Sequence, residues 1–196
     1  MTALNTAINC IEDHDTGTRE HVSRMSLTSR LIGLRYGMTD READLLSFAA
    51  SMHDLGKTEV PVSLLLKPGK LDRHEWAVMK THTTLGADII GDIRKKRFKA
   101  ARIVALTHHE RWDGSGYPNG LRGEQIPLYA RIVAISDVFD ALTSVRPYKN
   151  AWSAQEAAEE IERGSGSHFD PALVRVFLEV YPEITKFATG IIHRPA

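Results

Sequence analysis

Apolar residues recur along the chain at three- and four-residue intervals with polar residues between them, the pattern of helices that bury one face. Leu4, Ile8 and Ile11 predict a short amphipathic helix over residues 2 to about 12. After a turn at Gly17, the residues His21, Met25, Leu27, Leu31 and Leu34 mark a helix that runs to about Tyr36 and stops at Gly37. Thr39 or Asp40 can cap the next one, in which Leu45, Leu46, Phe48, Ala49 and Met52 lead into ASMHDLGK, residues 50–57. Gly56 predicts its end, which leaves His53 and Asp54 near the C-terminus of that helix.

A short apolar turn over residues 63–66 precedes the turn signal KPGK. Leu71 and Asp72 then open a helix that continues through Trp76, Met79 and His82 to Ile90 and breaks at Gly91. The basic run RKKRFK, residues 94–99, reads as a solvated connection. A helix over residues 100–109 places Ile103, Val104 and Leu106 on its buried side. ERWDGSGYPNGLRGEQIP follows, and a loop of that length inside a compact domain usually serves function. A strongly apolar helix starts at Leu128 and ends before VRPYKNAW. Two more are expected, over 153–163 with Ser153 as N-cap and over 170–180 with Asp170 as N-cap and Pro171 at the first helical position. No alternating pattern of useful length appears, so the expected fold is all-α. It forms one helical domain over 1–196, with a leading helix or linker over 1–18, a core over 19–180 and a tail over 181–196.

Composition narrows the function. The 196 residues can bury a core without cross-links. Lys plus Arg equals Asp plus Glu at 25 each, which argues against a protein that coats nucleic acid but permits a local pocket for a small charged ligand. Cys10 is the only cysteine, so an internal disulfide and a cysteine-rich zinc site are excluded and a reducing cytoplasm is the natural setting. No apolar run of about 18 residues and no basic-then-apolar leader is present, which predicts neither a membrane span nor a secretory signal. The first helix is compatible with an upstream sensor domain, and Met1 with an independent chain.

The candidate chemistry lies in histidine and aspartate. His21, the His53 and Asp54 doublet, His82, the His108 and His109 doublet and Asp137 lie on or at the ends of helices whose apolar faces should pack together. An isolated HD doublet is usually a surface or capping pair. A series of them on core helices is expensive unless metals compensate the buried polar groups. His53 and Asp54 lie about 100° apart around a helix and can grip a metal pair from adjacent directions, with Asp54 as a bridge. Lys57 returns to the same side, where its ammonium can meet an anionic substrate. Asp137, inside an apolar helix, needs a cation. Asp140 can support a ligand or cap a neighbouring loop, and the second role is expected. His14, His74, His168 and His193 are expected to be solvated or locally hydrogen-bonded. Imidazole and carboxylate without thiolate suit iron, manganese, nickel or zinc better than magnesium or calcium.

EHVSRM, HDLGK, LLLKPGKL, the helix bearing His82, HHERWDGSGYP, IPLYARIVAISDVFDALTSVRPYK and SHFDP, in that order from about Arg19 to Asp170, closely resemble the HD-GYP family of metal-dependent phosphohydrolases. The resemblance implies an all-helical domain with two or three metals, commonly iron or manganese, that hydrolyses cyclic di-GMP to pGpG and sometimes to GMP. Carried over by motif, His21, His53, Asp54, His82, His108, His109 and Asp137 are the metal ligands, and Asp54 and Lys57 the catalytic residues, Lys57 also contacting phosphate. Some members carry a further glutamate ligand one turn before the first histidine; Gly17 stands there in this chain, so two metals are expected rather than three.

Tyr117 can stack on a base while Gly116 and Pro118 shape a ligand-approaching turn, or all three can build a rigid loop beneath the centre. Arg111 can contact substrate or pair locally with Asp113, whereas Arg146 and Lys149 are stronger candidates for guanine or phosphate contacts, with a solvated loop as their alternative. The expected partners are a cyclic dinucleotide, a diguanylate cyclase or upstream sensor domain, and a second copy in a homodimer; a DNA or RNA polymer and a membrane are not expected. Cyclic GMP-AMP is the nearest alternative substrate. Outside cyclic dinucleotide hydrolysis, the residues admit a non-catalytic module that binds nucleotide or a cyclase through the GYP loop, and a nucleotidase for mononucleotides, which the GYP loop disfavours.

Overall fold

The computed structural model describes residues 19–144 and 151–188. Among the described residues the expected all-α architecture holds: no strand forms, and the sole β-bridge joins Ser165 to Phe169. Helix α1 spans Arg19–Tyr36 and ends where Gly37 takes φ 107°, a conformation that glycine adopts without penalty. The Gly37 amide donates to the Leu34 carbonyl and the Met38 amide to that of Gly33, which closes the last turn. Thr39 then caps α2, Asp40–Ala50, through a capping box with Glu42.

The chain leaves α2 through a turn carrying His53 and Asp54, enters a 3-10 helix at Leu55–Glu59, and passes a one-turn helix α3, Val62–Leu65. Next come α4, Arg73–Lys80, capped by Asp72; α5, His82–Ile90; and α6, Lys96–Thr107. The glycine-rich loop contains a second 3-10 turn at Gly123–Gln125 and leads to α7, Leu128–Thr143. Helices α8, Ala154–Arg163, and α9, Pro171–Ala188, complete the bundle.

Helix α7 is apolar nearly all round because α1, α6, α8 and α9 contact it from different sides. Its Ile132, Ile135 and Phe139 join Met25, Leu46, Met52, Ile161, Leu173 and Phe177 in one buried core. Phe139 meets Phe177 edge to face at 5.2 Å. Phe177 is fully buried, and Phe177→Ala is expected to cost about 3–5 kcal/mol, read as a lower denaturant midpoint.

Several predicted boundaries shift. The helix expected from Leu71 to Ile90 is two, divided at Thr81, whose amide and hydroxyl both turn back to the Val78 carbonyl. That tightened turn lets α5 bury His82 while α4 stays largely outside. Part of the basic run is helical, since α6 starts at Lys96, and Ile103 is 42 % exposed because Ala101, Val104 and Ala105 form the buried face. Helix α9 continues beyond Val180 through Pro182. Ser153 and Asp170 cap as expected. The helix predicted before residue 18, with Cys10 and Gly17, lies outside the described residues, as do the end of the tail, Arg146 and Lys149. No described helix is long and apolar enough to cross a membrane.

Candidate metal centre

Helix ends bring the ligand candidates together. His21 lies in the first turn of α1, His53 and Asp54 in the turn after α2, His82 at the start of α5, and His108 and His109 in the turn after α6. Asp137 projects from the middle of α7. They form two groups, one of His21, His53 and Asp137 and one of Asp54, His82, His108 and His109, each with ligand atoms within 4.8 Å of one another.

Asp54 joins the two groups. Its Oδ2 lies 3.1 Å from His53 Nε2, while its Oδ1 lies 3.4 Å from His82 Nε2 and 3.7 Å from His108 Nε2. Asp137 Oδ1 lies 3.8 Å from His53 Nε2 and 4.0 Å from His21 Nε2. One carboxylate oxygen of Asp54 thus faces each group, the arrangement a bridging ligand requires.

The opposite ring nitrogens show why the imidazoles point inward. Nδ1 of His53 lies 2.9 Å from the Ala50 carbonyl, that of His82 2.7 Å from the Met79 carbonyl, and that of His108 3.1 Å from those of Val104 and Ala105. A carbonyl only accepts, so Nδ1 carries the proton in these three rings and the Nε2 lone pair is left for a metal. His53 Nε2, His82 Nε2, His108 Nε2 and Asp54 Oδ1 are buried without a hydrogen-bond partner. An unmet buried polar atom costs about 1–3 kcal/mol, so four in one place fit a site completed by cations.

Protonation differs across the centre. Burial, reinforced by neighbouring imidazoles, holds His108 well below the usual histidine value and His109 down to about 4, which keeps both neutral. Burial also lowers His82. In His53 burial opposes the charge, yet Asp54 and Asp137 outweigh it and raise the group to about 9. The carboxylates that draw a proton to His53 would equally draw a metal, so proton and metal compete for its Nε2. Burial opposes charge on Asp54 too, but His53 and Lys57 hold its carboxyl well below the usual range, and Lys57 Nζ sits 2.8 Å from Oδ2.

Asp140 takes the supporting role rather than only the expected capping one: it holds the His21 imidazole in place. Its Oδ2 lies 2.6 Å from His21 Nδ1, and the carboxylate also accepts from Arg24 Nε at 2.6 Å, Arg24 Nη2 at 3.0 Å and Ser144 Oγ at 3.0 Å. Its spacing of three residues from Asp137, which puts both carboxylates on one side of α7, was the available signal.

The glycine-rich loop lies beside the second group. Tyr117 stacks on His109 with centroids 4.8 Å apart and an interplanar angle of 29°. A Cβ on Gly116 would lie 2.3 Å from Arg111 N and 2.6 Å from the His109 carbonyl, so this glycine permits backbone to cross backbone rather than ligand approach. Arg111 donates to Ser115 Oγ at 3.0 Å and lies 3.8 Å from Asp113, so it pairs locally. The SHFDP segment holds the loop from behind, with the Trp112 amide on the His168 carbonyl and the Asp113 amide on that of Ser167. Sequence reasoning passed over Glu110, whose buried carboxylate is tied to the same loop.

His168 is half-buried and stacked on Phe169 at 4.1 Å, not simply solvated, and burial with nearby Arg111 lowers it to about 4. Between pH ~6.5 and ~4 the unfolded chain therefore takes up a proton there that the folded chain refuses. Stability attributable to this residue is present above that window and is lost as pH falls through it, by about 2–3 kcal/mol. Denaturant midpoints measured across that range should show a shallower decline for His168→Gln than for the unmodified protein.

The fold and the two groups of side chains, each able to hold a metal ion, are those of a helical domain of the HD type. Residues 5–173 match the family model for the HD domain, and the chain belongs to that family. It is 43% identical over 175 residues to 3'3'-cGAMP-specific phosphodiesterase 2 of Vibrio cholerae, covering 89% of this chain and 34% of that protein. It is 44% identical over 175 residues to the cyclic di-GMP phosphodiesterase response regulator RpfG of Xanthomonas campestris, covering 89% and 46%. Against the cyclic di-GMP phosphodiesterase of Thermotoga maritima the identity is 44% over 174 residues, covering 89% and 47%. The chain thus spans between about a third and a half of the length of these relatives. Among solved structures, a V. cholerae cyclic GMP-AMP phosphodiesterase (V-cGAP3) shares the fold, with a TM-score of 0.68 at 23% identity over 98% of this chain and 52% of the other.

Proposed function

We propose that this domain hydrolyses cyclic di-GMP to pGpG, and onward to GMP, with two divalent metals at the centre described above. The observation that carries the reading is Asp54, with one oxygen turned to each of two groups of inward-facing ligands. His21, His53 and Asp137 would hold one ion and His82, His108 and His109 the other, with Asp54 shared between them. The donor set favours iron or manganese and accommodates nickel or zinc. Such ions supply neutralisation of the phosphodiester charge and a more acidic water.

The chain's own residues prepare the rest. The carbonyls of Ala50, Met79 and Val104 orient three imidazoles, and Asp140 orients a fourth. Lys57, beside Asp54, places an ammonium where an anion drawn to the centre would sit. Tyr117, engaged with His109, supports the ligands, and Arg111 is held within its loop, so further substrate contacts fall to Arg146 and Lys149. Cytoplasmic action, an input domain and association with a cyclase or a second copy belong to this proposal; the relatives' greater length is compatible with an input domain.

The test is turnover of cyclic di-GMP and 3'3'-cGAMP side by side by protein reconstituted anaerobically with iron(II) or manganese(II). Cleavage of cyclic di-GMP at the higher kcat/KM supports the reading. Preference for 3'3'-cGAMP, the substrate named for the V. cholerae relative at 43% identity, would transfer the assignment to that nucleotide. Neither being cleaved by metal-replete protein would reject hydrolysis and leave a nucleotide-binding module.

A further inference from the structure

Glu110 follows the His108 and His109 doublet directly and is 2 % exposed, yet both of its carboxylate oxygens are engaged by backbone amides rather than by a cation. Oε1 accepts from the Asn119 amide at 2.8 Å and Oε2 from the Leu121 amide at 2.9 Å. These amides belong to the far arm of the glycine-rich loop, nine and eleven residues along the chain. Both oxygens therefore pull that arm back toward the turn that bears the doublet.

Between the anchor and its partners lies Tyr117. Its amide donates to the His109 carbonyl at 3.2 Å and its ring lies on the imidazole of His109. Trp76 meets the same tyrosine ring edge to face at 6.2 Å, and Lys80 Nζ approaches it at 5.7 Å. Gly116 lets the returning strand cross Glu110 closely, since a Cβ there would sit 2.5 Å from Glu110 Cα. Both ends of the segment holding Tyr117 are thus fixed to the turn that carries His109. His53, His82 and His108 have their rings fixed by helix carbonyls, whereas the ring of His109 meets other rings, those of His82, His108 and Tyr117.

We propose that Glu110 is a positioning residue that sets the imidazole of His109 by holding Tyr117 against it. The inference rests on the reading of His109 as a metal ligand, and its structural half can be tested without metal. In the metal-free protein, the nuclear Overhauser effect between the Tyr117 and His109 rings is expected to vanish or weaken strongly in Glu110→Gln, whose amide group can accept only one of the two N–H bonds. In metal titrations with manganese(II), Glu110→Gln is expected to weaken one of the two sites by about 10- to 100-fold, the range for residues that orient a ligand, and to leave the other unchanged. Introduced into Tyr117→Leu, the same substitution should weaken binding no further, because its effect acts through the ring.

An unchanged Overhauser effect in Glu110→Gln, or equal weakening with and without Tyr117, would overturn the proposal and leave Glu110 as a loop fastener alone. Glu110→Asp, which keeps both acceptor oxygens on a shorter arm, should restore part of the ring stacking and of the affinity. Failure of the wild-type protein to take up any metal, while Glu110→Gln still separates the Tyr117 and His109 rings, would reject the metal reading while the positioning of His109 stood.

Discussion

Asp54→Ala is expected to lower kcat/KM by at least ~1,000-fold and to reduce bound metal to less than one ion per chain, because a single side chain faces both ligand groups. On the proposed assignment, removing His21 or His82 takes a donor from one group only, whereas removing Asp54 takes away the carboxylate that lies between both. The substitution also leaves Lys57 without the carboxylate 2.8 Å away and removes the main charge that raises His53. Asp54→Asn separates these effects from simple loss of volume. It keeps the shape, removes the charge, and should let His53 titrate well below its present value of about 9. Metal content by elemental analysis, turnover of cyclic di-GMP and titration of His53 by NMR read the three consequences independently. A metal-replete, active Asp54→Ala protein would contradict the bridging role.

Gly56→Ala should rival the loss of a ligand although it touches no ligand atom. A Cβ at this position would lie 1.9 Å from the His82 carbonyl oxygen and 2.4 Å from the Gly86 amide nitrogen, both backbone atoms of α5. Side chains can rotate away from an added methyl, but a helix must move as a body. We expect destabilisation of about 3 kcal/mol, at the upper end for overpacking, together with weaker metal binding because the displaced element carries His82. Gly86→Ala is the comparison. Its Cβ would meet Gly56 N at 3.0 Å and the Ala105 methyl at 3.4 Å, so a smaller shift suffices and the loss should be smaller. Denaturant midpoints and metal titrations rank the two, and equal midpoints would show that the 3-10 helix moves instead.

What sequence could reveal follows from how far each interaction reaches. Thr39, Ser153 and Asp170 cap amides two or three residues on, and these ends were legible from residue type alone. The clustering of the candidate ligands was legible for a different reason: a carboxylate such as Asp137 inside an apolar helix is too costly to stand without partners, and His21, His53, His82 and His108 recur with it. Asp140 was misread because His21 is 119 residues away. Glu110 escaped notice because its amide partners have no side-chain signature. Gly56 was expected to end the helix bearing His53 and Asp54, yet α2 stops at Ala50 and Gly56 lies inside the following 3-10 helix, where its close approach to α5 depends on tertiary packing. The break at Thr81 was hidden because hydrophobic spacing continues across it, and Ile103 was misplaced because α6 buries small alanines instead.

Three of the imidazoles take hold of carbonyls in the final turn of a helix: Ala50 in α2, Met79 in α4, and Val104 and Ala105 in α6. The way these helices stop and the direction in which the donors aim are therefore one piece of geometry. Adding or deleting one residue in any of these turns would swing the donor by about 100° around the helix axis. Length variation should be tolerated in the KPGK turn and other exposed connections, and forbidden at these three helix ends, even where the inserted residue is chemically harmless.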